Sequence, residues 1–282
     1  MVERGIKEIE NPEELLHLGL VSGIRNGKFE NAVEFFERAI LLQPSNCRAW
    51  FLLGLANDCQ DNHEKGIDCY LRAIELNPDY PEALVNLGTN YSKLGKIDLA
   101  VSCFTDALDV KPDYFEAMVN LGICYLDRNE PKRAIDICQR ALVFTSDYPL
   151  AYSTLGRAYL QLNEHDKAIE FFEKAIEIDP LNHETFNFIG LVYIDRKNFQ
   201  EALHNFLKSI KLNSDYHEAY NNLGVTYAMM GNLKKAIDYF GKAIERHPNY
   251  FEALHNLASA YEESGDFDKA AEYEDRAYDL ED

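Results

Sequence analysis

Apolar residues run down the chain in helical stripes that alternate between two kinds. Leu84, Leu87, Gly88 and Tyr91 keep the i, i+3, i+4, i+7 spacing of one helix face, and Ala100, Phe104, Ala107 and Leu108 do the same for a second helix. The pair then recurs: ELNPDYPEALVNLG at 75–88 is nearly repeated as DVKPDYFEAMVNLG at 109–122, 34 residues on. Stepping by 34 exposes whole columns. One reads Ala32, Gly66, Ala100, Ala134, Ala168, Ala202, Ala236 and Ala270. Another reads Phe36, Tyr70, Phe104, Cys138, Phe172, Phe206, Phe240 and Glu274, and a third is glycine at 54, 88, 122, 156, 190 and 224, ending in Ala258. The register holds without an insertion from residue 13 to the end. The pattern predicts an all-α chain: a leader at 1–12 and one domain of eight helix–turn–helix units, at 13–46, 47–80, 81–114, 115–148, 149–182, 183–216, 217–250 and 251–282.

The polar columns fix where the helices stop and start. Gly27, Asp61, Gly95, Asn129, Asn163, Lys197, Gly231 and Gly265 lie between the two helices of each unit, and Gly and Asn are the residues that end helices in the left-handed conformation. Lys197 is the misfit in that column. Proline at 44, 78, 112, 180 and 248 stops the second helix. Ahead of the first helix, Asp79 to Glu82, Asp113 to Glu116, Asp215 to Glu218 and Asn249 to Glu252 have the spacing of a capping box. A lone hairpin buries too little surface to offset its chain entropy, so the units must stack. Gly23 in place of tyrosine in the first unit and Glu274 in place of the aromatic in the last mark atypical end units, and Glu274 is expected to turn the outer face of the last towards water.

With Trp50, Leu53, Gly54, Ala73 and Pro78 in one unit, and Leu84, Leu87, Gly88, Tyr91, Ala100, Phe104, Ala107 and Pro112 in the next, the chain resembles the tetratricopeptide repeats. The resemblance covers about residues 13–282. It implies an α-solenoid, a right-handed superhelix of antiparallel helix pairs with the first helices on its concave side, and a role in binding other proteins. It does not imply which.

Composition narrows the role. The 282 residues carry 28 basic and 48 acidic side chains, a net charge of −20. Nucleic acids are gripped by cations that neutralise phosphates, and anionic membranes likewise, so both are disfavoured as partners. No apolar run approaches the roughly 20 residues that cross a bilayer, which points to a cytoplasmic protein. Cys47, Cys59, Cys69, Cys103, Cys124 and Cys138 form no C-x-x-C pair and read as buried reduced thiols. No two of the eight histidines share a helix face, and no nucleophile or phosphate-loop motif occurs. Neither a metal, a cofactor nor an enzymatic activity is therefore expected, and function is sought on a surface.

At 100° per residue, the first-helix face opposite the Leu–Gly–Tyr stripe presents Leu52, Leu55, Asn86, Thr89, Asn120, Ile123, Thr154, Arg157, Phe188, Leu191, Asn222, Val225, Met229 and Asn256. Two features stand out. Asn86, Asn120, Asn222 and Asn256 form a row of amides that could grip a peptide backbone or simply be solvated. Leu52 with Leu55, and Phe188 with Leu191, Val225 and Met229, form apolar groups that either dock a partner or pack on each other. The glutamates of the same face are assigned to capping. The basic residues Arg48, Lys93 and Arg157 fall in separate units, so the family's clamp for C-terminal carboxylates is not expected. The leading reading is a non-catalytic scaffold that holds a peptide segment or a partner helix; a self-assembling homo-oligomer is the alternative.

Overall fold

The computed structural model describes residues 6–25 and 27–280. Among these residues are sixteen α-helices and no strand. They form two compact units divided between Ser146 and Asp147, each of four hairpins. The first unit holds α1 (Pro12–Leu20), α2 (Phe29–Leu42), α3 (Cys47–Asp58), α4 (His63–Leu76), α5 (Pro81–Lys93), α6 (Ile97–Val110), α7 (Phe115–Asp127) and α8 (Pro131–Phe144). The second holds α9 (Pro149–Gln161), α10 (His165–Ile178), α11 (His183–Asp195), α12 (Phe199–Leu212), α13 (His217–Met229), α14 (Leu233–Arg246), α15 (Phe251–Ser264) and α16 (Phe267–Tyr278). Of the expected leader, residues 1–5 lie outside the described residues, as do 281 and 282. The rest of that leader belongs to the fold: Ile9 is buried against Leu15 and Leu16, and the Lys7 carbonyl accepts a hydrogen bond from Arg38.

The columns explain the packing. Phe104, Phe172, Phe206 and Phe240 are buried, as is every alanine of the alanine column from Ala32 to Ala236. Each ring lies over the glycine of the facing helix: a Cβ on Gly88 would sit 2.9 Å from Phe104 Cε1, too close for a side chain there. The turn column behaves as its residue types predict. Asp61, Asn129, Asn163 and Lys197 all have φ of 57–58°, and the four glycines lie between 65° and 85°. Beside each, a hydrogen bond such as Lys96 N–H to the Tyr91 carbonyl (2.8 Å) closes the helix end.

Two expectations need correction. The first hairpin carries one extra residue. Every other ring faces a glycine 16 positions earlier, but Phe36 faces Gly19, 17 earlier, and the closing bond runs from Lys28 to Ser22 rather than across one residue fewer. A π-helical turn at Val21–Arg25 absorbs the surplus. The capping boxes also do not form. The cap residues are Tyr80, Tyr114, Tyr216 and Tyr250, one position later than the box requires, with no side-chain cap bond. Packing decides this start: Tyr80 lies against Phe51 (5.0 Å between centroids), Tyr216 against His183 (4.6 Å) and Tyr250 against His217 (4.6 Å), each a residue of the preceding hairpin. Side-chain caps occur where asparagine stands instead, as at Asn46 and Asn182.

The thiols follow burial unevenly. Cys69, Cys103, Cys124 and Cys138 are buried, Cys47 is half-buried, and Cys59 is exposed, contrary to expectation. Burial pushes Cys69 and Cys103 up to about 12, which leaves them unreactive.

Candidate functional site

The first helices of each unit carry the residues singled out above, and the two units differ. In the first unit Leu52 is not surface at all. It is buried in one cluster with Leu15, Leu16, Ala49 and Leu53, where α3 packs against the first hairpin. Leu55, Asn86, Thr89, Asn120 and Ile123 are half-buried. Asn86 donates to the Glu82 carbonyl of its own helix (2.8 Å) and Thr89 to Val85 (2.9 Å).

In the second unit Thr154 is likewise removed from the surface: it is fully buried and its hydroxyl donates to the Leu150 carbonyl (2.7 Å). Phe188 is half-buried in a stack, with Phe172 parallel to it at 5.9 Å and the Arg157 guanidinium 5.1 Å from its centroid. Leu191 and Val225 are half-buried, and Met229 stands open, 51% exposed. The amides are tied across helices. Asn222 Nδ2 donates to Asn187 Oδ1 of the preceding hairpin (2.9 Å), and Asn256 Nδ2 to Asn221 Oδ1 (3.0 Å). One N–H of each of these two amides is thus engaged within the stack.

A second row was not singled out from the sequence. Tyr216 lies between Glu184 and Glu218, and Tyr250 between Glu218 and Glu252; burial and then these carboxylates push Tyr250 up to about 12 and Tyr216 higher. In the first unit Tyr114, beside Glu82 and Glu116, is raised to about 12 in the same way. The signal was the recurring Y-x-E at 80–82, 114–116, 216–218 and 250–252. It was hidden by assigning each glutamate to a cap. With the helix start moved to the tyrosine, the glutamates sit in the first turn, where the helix dipole favours them, and their oxygens are not committed to capping. Among the described residues no three His, Cys, Asp or Glu side chains gather as metal ligands, and no helix is long and apolar enough to cross a membrane.

Comparison with known proteins gives the class. Models described as tetratricopeptide repeat or TPR repeat match residues 15–46, 60–95, 85–149, 149–182, 190–231, 217–250 and 239–272. The chain belongs to the tetratricopeptide-repeat family, whose fold mediates protein–protein interaction. Among solved structures it is similar to a tetratricopeptide repeat protein of Parabacteroides merdae, with a TM-score of 0.77 and 17% identity over 88% of this chain and 98% of that one. It is also similar to a chain of the APC/C hetero-tetramer Cut9–Hcn1, at 0.69 and 17% over 98% of this chain and 54% of that one. A third is a thermophilic TPR protein of Thermus thermophilus, at 0.61 and 24% over 64% and 98%. These likenesses are of fold. No curated protein matches the chain in sequence.

Proposed function

We propose that this protein is a non-catalytic scaffold whose first-helix face holds an extended, basic segment of a partner protein. The observation that carries the reading is the pair of amide bridges, Asn222 to Asn187 and Asn256 to Asn221. They hold two side-chain carbonyls at a fixed repeat spacing, able to accept backbone N–H groups whatever the peptide's sequence. Holding the acceptors in place beforehand cuts the ordering cost of binding. The Glu184, Glu218 and Glu252 row supplies the charge preference, in a chain of net charge −20.

Peptides selected for binding to the full chain from a random displayed library test this. Lys- and Arg-containing sequences are expected to be enriched, with affinities at least about tenfold weaker for Asn222→Ala/Asn256→Ala. Selected peptides without basic residues, or affinities indifferent to the double change, would refute the mechanism.

A further inference from the structure

Between the first two hairpins lies a cavity of about 220 Å³, bounded by Gly19, Gly23 and Phe36 on one side and Leu52, Leu55 and Ala56 on the other, with the exposed Cys59 among its lining residues. Its origin is legible. These hairpins are the two in which the place held by Tyr91, Tyr125, Tyr159, Tyr193, Tyr227 and Tyr261 has no ring: it is Asn57 in the second and, with the one-residue shift of the first, Ser22. The Asn57 amide turns back to the Leu53 carbonyl (2.8 Å), and the π-helical turn leaves Gly19 and Gly23 as bare walls. Among the described residues, every side chain lining the space is apolar except the weakly polar Cys59 thiol.

We propose that this cavity is a socket for one aromatic ring, supplied by a side chain of a partner peptide on the first-helix face of the first unit; the inference rests on the reading of the first-helix face above. Three features select a ring. An apolar cavity of about 150 Å³ stays dry and takes up benzene, so this larger one has room for a phenyl or indole group. The glycine walls and the rings of Phe29 and Phe36 are flat. Among the described lining residues no group beyond the weak Cys59 thiol could pair with an amide, a carboxylate or an ammonium, so a polar side chain would enter poorly satisfied. Leu55 and Cys59 belong to the first-helix face of the first unit, so the socket opens on that face.

The test uses the full chain with N-acetylphenylalaninamide and N-acetylalaninamide as probes. Saturation-transfer NMR should detect the phenylalanine amide only, and the probe should slow alkylation of Cys59 by iodoacetamide several-fold. Leu55→Trp, which sets a ring at the cavity from the protein's own side, should weaken binding at least about tenfold. Ala56→Leu, which fills the space from α3, should do the same and serves as the second variant. Equal signals from both amides, an unprotected Cys59, or full binding by both variants would overturn the socket. Failure of the groove reading is distinguishable, because it appears as indifference of selected peptides to Asn222→Ala/Asn256→Ala while the ring still binds.

Discussion

The junction between hairpins one and two and the junction between hairpins two and three occupy equivalent places in the repeat, yet their interiors are opposite in kind. Moving 34 residues along exchanges Phe29 for His63, Ala32 for Gly66, Phe36 for Tyr70 and Ala56 for Asn90. The first set surrounds an apolar cavity. The second closes on a carboxylate: Asp58 accepts from the Tyr70 hydroxyl (2.6 Å) and from the Asn90 amide (2.6 Å), with His63 Nδ1 at 3.3 Å. This network also explains why the alanine column breaks at Gly66, where a Cβ would come 2.8 Å from Asn90 Nδ2. The comparison teaches that the repeat columns set the backbone, while a few substitutions within them decide whether a junction is a hole, a polar cluster or a packed ring. Specific function can sit in such departures without disturbing the stack.

The largest expected effect contrasts a packed junction with the open one. Ala134 is fully buried in α8, and Ala134→Phe should overpack it at a cost of about 1–3 kcal/mol. Ala56→Leu, which points into existing space, should be neutral or stabilising by up to about 1 kcal/mol. Chemical denaturation of both variants measures the difference; equal losses would mean that the space beside Ala56 is not available to a side chain.

Most of the fold was readable because each column states one steric demand eight times over. Gly88 under Phe104, or the left-handed turn at Asn129, needs nothing beyond its own hairpin. What was misread depends on neighbours. Asp79 and Glu82 have the spacing of a box, but Tyr80 docks on Phe51 of the hairpin before it and shifts the helix start. Leu52 and Thr154 have the right angle for the groove face and are covered by adjacent helices all the same. The extra residue of the first hairpin escaped notice because Leu20 occupies the glycine column, and only the position of the Phe36 ring shows that Gly19 has taken its place. The amide row was visible as a spacing, whereas its bonds to Asn187 and Asn221 required the stack itself.

A smaller effect separates the two units by pH. His217 stacks on His247 at 4.6 Å in the second unit, and its pKa lies below the usual histidine value, chiefly through burial and also through the charge of His247, against the opposing pull of Glu218 and Glu252. A histidine whose folded pKa is depressed stabilises the fold fully above its unfolded pKa of about 6.5, and that contribution is lost as pH falls through the folded value. The thermal midpoint should therefore drop between neutral and mildly acidic pH, and His217→Gln should flatten the slope. An identical pH profile in the variant would show that His217 does not carry the pH dependence.

The smallest effect tests the turn column at its one misfit. Lys197 adopts φ 58° where four other hairpins place glycine, and a side chain in the left-handed region costs about 1 kcal/mol or more. Against this, glycine loosens the unfolded chain and so gives back part of the gain. Lys197→Gly should then stabilise the second unit by no more than about 1 kcal/mol, whereas Gly231→Lys, at the next turn of the same column with φ 76°, should destabilise by a similar amount. Both positions end a first helix, and in a chain of net charge −20 the effect of deleting or adding a lysine runs opposite to the conformational one in each variant. A loss of stability in Lys197→Gly with a gain in Gly231→Lys would mean that charge, rather than backbone conformation, governs this column.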